Sequence, residues 1–136
     1  MMSVVVDCSV FLAWSLADED EPVATEAVRR VVSAGGVAPA IWWYELRNAL
    51  LTNERRGRIT APQVAETLVD CAALGIETDD RHDETLVLAL AREHALSVYA
   101  AAYLEVASRR RLPLATLVQK LSEAAGVAGV PTIVAR

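Results

Sequence analysis

Apolar positions along this chain change period repeatedly, and each change marks an element. Val4, Val5 and Val6 form an unbroken β-branched run ending at Asp7. Such a run without alternation predicts a strand buried on both faces, as in the centre of a parallel sheet. A helix is predicted over Ser9–Leu16, then a solvated acidic turn, Asp18-Glu19-Asp20-Glu21. Pro22 starts a helix running to about Ser33, broken by Gly35-Gly36. Val37-Ala38 makes a brief strand ended by Pro39, and a strong helix runs from Ile41 to about Arg56, closed by Gly57. Thr60-Ala61-Pro62-Gln63 has capping-box spacing and opens a helix to about Ala73. A short strand, Ile76-Glu77-Thr78, follows Gly75. Helices are predicted over Asp83–His94 and from a Ser97 cap to Ser108. Leu114-Ala115-Thr116 reads as a buried strand, Gln119–Ala125 as a helix stopped by Gly126, and Thr132-Ile133-Val134 as a closing strand.

Strands alternating with helices imply parallel pairing through right-handed crossovers. The predicted fold is α/β: a three-layer α/β/α sandwich around a central parallel sheet, in one domain over residues 1–136. That length suits one domain, on a prior of roughly 100–200 residues each.

Asp7 stands out at the carboxyl end of its strand, where open α/β sheets bind ligands. An unpaired buried charge is costly, so Asp7 points to an acidic site. The plain alternative is that Asp7 or Ser9 caps the following helix. Glu45 is the second odd residue, lying in the apolar helix Ile41–Leu51 beside Trp42, Trp43 and Tyr44. Glu45, Asn48 and Thr52 share a stripe, and position i+4 is Ala49 rather than a base. A lone carboxylate there suits a metal ligand or general base; the alternative is a solvated rim glutamate. Two further segments have the frame of a site without its acid. Ser97 as cap puts Ala100 third in its helix, where a carboxylate would be favoured by the N-terminus. Val118 follows the strand at Leu114, on the same rim as Asp7.

The net charge of −5 argues against nucleic-acid binding by bulk electrostatics, although a nuclease site is itself acidic. Arg29-Arg30, Arg55-Arg56 with Arg58, and Arg109-Arg110-Arg111 could each grip phosphates or complement a helix C-terminus. Asp79, Asp80, Asp83 and Glu84 read as a solvated loop plus helix cap, with a rival metal site as the alternative. Cys8 and Cys71 lack zinc-ligand spacing and suit a reducing cytosol. Neither a signal peptide nor a membrane span is expected.

Four segments together resemble the PIN-domain family, and within it the VapC toxins of toxin–antitoxin pairs. They are Val6-Asp7-Cys8-Ser9, "WYELRNAL" with Glu45 and Asn48, "LSVYAAAYLEVA" (Leu96–Ala107) and "LPLATLVQKL" (Leu112–Leu121), followed by the closing "AGVAGVPTIV". The resemblance covers essentially the whole chain. It implies a Mg²⁺- or Mn²⁺-dependent endoribonuclease with four acidic residues at the strand ends, causing growth arrest when free. Asp7 and Glu45 match the first two acids as metal ligands. The third falls at Ala100 and the fourth at Val118, so both are missing. Thr116 matches the polar residue before the fourth acid; Ser9 and Asn48 match supporting polar positions.

Hard divalent ions want several oxygen ligands. Two carboxylates are therefore expected to hold Mg²⁺ or Mn²⁺ weakly, and the chain to be weakly active or inactive. The resemblance also implies a VapB-like antitoxin lying across apolar helices (Trp42, Trp43 and Leu46 being plausible contacts or plain core). It further implies an RNA substrate, a homodimer, DNA contact only through the antitoxin, and a cytoplasmic location. Two alternatives remain: a non-catalytic PIN protein that binds antitoxin or RNA without cleavage, and an RNA-processing PIN protein with no antitoxin.

Overall fold

The computed structural model describes residues 2–16 and 21–134. Asp18, Glu19 and Asp20 of the expected acidic turn lie outside the described residues; Glu21 caps the next helix by accepting from the Val23 N–H. The strands are β1 (Val4–Val6), β2 (Gly36–Pro39), β3 (Glu77–Asp79) and β4 (Leu114–Ala115). The helices are α1 (Cys8–Ser15), α2 (Pro22–Ala34), α3 (Ile41–Arg55), α4 (Ala61–Ala73), α5 (Glu84–His94), α6 (Val98–Arg110) and α7 (Gln119–Val127).

The sheet is wholly parallel, in the order β3-β2-β1-β4. Val4, Val5 and Val6 are fully buried at its centre, as the unbroken apolar run predicts. Helices cover both faces and complete the three-layer α/β/α sandwich. α2 packs on β1, β2 and β4 with α1 beside it, α3 packs on α1 and β2, and α6 crosses β1, β2 and β4 alongside α5 and α7. Among the described residues no helix is long and apolar enough to cross a membrane.

Local chemistry sets most boundaries. Thr60 and Gln63 form the capping box at α4, and the Asp83 and Ser97 side chains cap α5 and α6. Gly35 ends α2 at φ 96°, and a Cβ at Gly36 would meet Ile76 Cδ1 at 2.7 Å, so the Ile76 side chain would have to shift to admit one.

Three expectations shift. The third strand slides one residue, to Glu77–Asp79, because it pairs with β2 as Val37–Glu77 through Pro39–Asp79. Gly126 does not stop α7; the left-handed residue that frees the chain is Gly129, at φ 76°. The closing strand reduces to one parallel bridge, Leu114 to Thr132. β4 is two residues long and Pro131 has no N–H to donate, so a longer ladder has nothing to build on.

A cleft at the switch point of the sheet

From β1 the chain moves outward to β2 and β3, then crosses back to β4 on the other side of β1. The carboxyl ends of β1 and β4 therefore flank a topological switch point, where α/β sheets leave a crevice. Asp7 follows β1 directly and is 5 % exposed. Its Oδ1 accepts from the Ser9 N–H and its Oδ2 from the Thr116 hydroxyl, both at 2.5 Å. Asp7 thus caps α1 and also sits at the sheet edge, so the two readings of this residue coexist. The Thr116 hydroxyl in turn accepts from the Val118 N–H at 3.0 Å, and the Ser9 hydroxyl from the Leu117 N–H at 2.9 Å. These bonds staple the α1 start to the segment between β4 and α7. Burial pushes the Asp7 carboxyl above its ordinary range, more than the bonds from Ser9 and Thr116 pull it down.

Glu45 enters from the second turn of α3, half-buried, and its Oε1 accepts from the Tyr103 hydroxyl at 2.5 Å. Burial raises its pKa, the Tyr103 bond opposes the rise, and the charge of Asp7 adds to it. The two carboxylates therefore feel each other. Ala100 is the third residue of α6, its N–H bonded to the Ser97 hydroxyl at 3.0 Å. Val118 is the N-cap of α7, 45 % exposed and without a side-chain cap bond. Valine is a poor N-cap, whereas a carboxylate at either position would meet a helix N-terminus.

Asp7, Ser9, Glu45, Ala100 and Val118 all line one cavity of about 230 Å³, walled by Leu12 and Leu121. Thr116 sits behind it, holding Asp7. Asn48 does not line it: the stripe from Glu45 runs off the cleft, and Asn48 is exposed. Two further residues line the cleft, Tyr103 with a role the sequence did not signal and Cys8 as part of its wall. Tyr103 lies one turn after Ala100, and that spacing alone could have placed it. Cys8 is half-buried, its thiol pushed up to about 12, chiefly by burial.

The metal implied by the resemblance does not fit the donors present. Among the described residues no group of three or more His, Cys, Asp or Glu could hold an ion. Two carboxylates, each with an oxygen already bonded to protein, fall well short of about six oxygen ligands.

The acidic loop differs from its expected solvated state at one residue. Asp79 is buried, gripped by Arg109 and Arg110, while Asp83 caps α5 as expected. Burial pushes the Asp79 carboxyl up, but the bonds from Arg109, Arg110 and the Arg81 N–H hold it below its ordinary range. Arg109 also clamps Glu105, a fully buried carboxylate that the sequence reading passed over; its only signal was the i,i+4 spacing to Arg109.

A scan against protein-family models finds no match, and a search of curated proteins finds none either. Among solved structures, the crystal structure of PAE2754 from Pyrobaculum aerophilum matches with a TM-score of 0.74 and 22 % identity. The match covers 98 % of this chain and 92 % of that one. At that identity the likeness shows the fold alone.

Proposed function

We propose that this chain is a VapC-like PIN protein: an RNA-cleaving frame from which half the acidic ligands are gone. The observation that supports it is the convergence of Asp7, Glu45, Ala100 and Val118 on one cleft, two as acids and two at helix starts suited to acids. In this reading Asp7 and Glu45 are the remaining metal-site carboxylates, Thr116 fixes Asp7, Tyr103 fixes Glu45, and Ser9 keeps a hydroxyl proton for a water or phosphate oxygen. With four acids, a bound Mg²⁺ or Mn²⁺ would activate water and offset phosphate charge. With two, the chain cleaves RNA weakly or not at all. The reading extends to growth arrest by the four-acid form, a VapB-like antitoxin, a homodimer and a cytoplasmic setting.

The missing acids favour a second reading, a non-catalytic protein that binds antitoxin or RNA without cutting. The test compares RNA cleavage with Mg²⁺ or Mn²⁺ by the intact chain and by the Ala100→Asp/Val118→Asp double variant. Cleavage by the double variant only, stopped by EDTA, is the expected result. Metal-dependent cleavage by the intact chain would overturn the claim that two acids are too few. Failure of both on a broad RNA panel would favour the non-catalytic reading.

A further inference from the structure

The sequence holds three arginine clusters, and the fold treats them differently. Arg29 and Arg30 pair with Glu26 on their own helix. Arg109 and Arg110 are tied to Glu105, Asp79 and Glu77, while Arg111 is exposed and makes no ion pair among the described residues. Arg55, Arg56 and Arg58 are all exposed at the end of α3 and in the turn after it. Among the described residues their side chains make no ion pair. One cation in the last turn answers the helix dipole, and Arg55 supplies it. Arg56 and Arg58 lie beyond that turn and need another explanation.

The same helix leads from this tip to the cleft. Trp42, Leu46 and Leu50 bury one face of α3. Tyr44, Asn48, Leu51 and Arg55, spaced i, i+4, i+7 and i+11, form the opposite face, and all four are exposed. Glu45 flanks this stripe at its cleft end. Arg55 lies ~15 Å further along the axis, at about 1.5 Å per residue. That span matches about four stacked nucleotides at ~3.4 Å per phosphate. Tyr44 is 66 % exposed and braced edge-on by Trp43 at 5.0 Å, itself covered by the Arg47 guanidinium at 3.7 Å. A braced, exposed aromatic at one end of a helix face and arginines without an ion pair among the described residues at the other are the two parts that bind single strands: a ring for a base, cations for phosphates.

We propose that the solvent face of α3, from Tyr44 to the tip at Arg55, Arg56 and Arg58, is a track for single-stranded RNA leading into the cleft. It rests on the RNA reading above and names how the strand is held: Tyr44 stacks on a base near the cleft, and the three arginines take phosphates about four nucleotides away. Because the chain is acidic overall, this local patch supplies the attraction that its net charge does not.

The test is binding, without metal, of a fluorescein-labelled single-stranded RNA of mixed sequence, followed by anisotropy across a salt series. The proteins are the intact chain, Arg55→Gln/Arg56→Gln/Arg58→Gln, the corresponding triple lysine variant, and Tyr44→Ala. Each phosphate contact contributes about 0.7 to the salt slope of a single strand, so the glutamine variant should lose about 2. Its affinity should fall roughly fiftyfold at about 0.15 M salt on the same relation. The lysine variant should keep the slope, and Tyr44→Ala should weaken binding without changing it. Equal affinity and slope for the intact and glutamine chains overturn the track, as does an intact chain that binds polyglutamate but not RNA. If the glutamine variant binds normally while the four-acid chain cuts RNA, only the track fails. If the glutamine variant loses RNA and the four-acid chain does not cut, the track stands and the cleavage reading fails.

Discussion

Arg109→Met should destabilise the fold sharply, and more at neutral than at acid pH. The guanidinium donates from Nε to Glu105 at 2.7 Å, from Nη2 to Glu105 at 3.2 Å, and from Nη1 and Nη2 to Asp79 at 3.2 and 3.0 Å. Nη2 also donates to the Arg81 carbonyl at 2.7 Å. The Asp79 and Glu105 side chains are each 1 % exposed. Methionine keeps most of the volume but leaves Glu105 with no cation, while Asp79 retains Arg110 at 3.2 Å. Removing one partner of a buried ion pair costs about 3–5 kcal/mol. Because Asp79 keeps one partner and Arg109 is itself a quarter exposed, the lower end, about 3 kcal/mol, applies. With a urea m-value of about 2 kcal/mol/M, the midpoint should fall by about 1.5 M.

The pH dependence has a definite sign. In the intact fold the Asp79 carboxyl is held below its ordinary value, so its stabilisation is present above about pH 4 and lost as pH falls through the folded pKa. The variant lacks the Arg109 bonds that supply most of that contribution. The gap between the two proteins should therefore be largest at pH 7 and shrink below about pH 4. Adding Glu105→Gln to Arg109→Met should recover part of the loss. Urea titrations at both pH values decide it: a loss under about 1 kcal/mol at pH 7, or one unchanged in acid, refutes the reasoning.

Three further outcomes are expected. Asp7→Asn should raise Tm at pH 7, because the raised folded pKa of Asp7 means that ionising it opposes folding as pH rises above its unfolded value. The same change should abolish cleavage in the four-acid background, and a lower Tm at pH 7 would contradict the first half. Millimolar Mn²⁺ should leave the Tm of the intact chain unchanged and raise that of Ala100→Asp/Val118→Asp, since only a ligand bound to the folded state shifts unfolding; equal shifts in differential scanning fluorimetry would show that the added acids hold no metal. Cys8 and Cys71, pushed up to about 12 and about 11 mainly by burial, should react slowly with DTNB at pH 8 in the native state and fully in urea. Fast labelling of native Cys8 would show that the cleft opens.

Much of the fold was legible because it rests on local rules. Three consecutive valines have no exposed face to offer, so Val4–Val6 had to be a central strand. The Thr60/Gln63 box and the caps at Asp83 and Ser97 act within four residues, and each lies where the sequence put it. The cleft followed from one further step: residues just past parallel strands share an edge, which brings Asp7 and Val118 together. Asn48 shares a helical stripe with Glu45 yet does not line the cleft, because helical spacing gives a stripe but not where the neighbouring elements stop covering it. The acidic loop was misread at Asp79 because its partners, Arg109 and Arg110, lie 30 and 31 residues away.

The sequence by itself determined the element order, the parallel sheet, the helix caps and the two acids of the cleft, because backbone propensity and apolar period act over a few residues. Only the tertiary structure decided that Glu45 is held by Tyr103, that Thr116 holds Asp7, and that Arg109 and Arg110 are tied to carboxylates while Arg55, Arg56 and Arg58 make no ion pair among the described residues. Those outcomes depend on hydrogen bonds and ion pairs between side chains far apart in the chain. Their strength is set by burial, which exists only once the layers have packed.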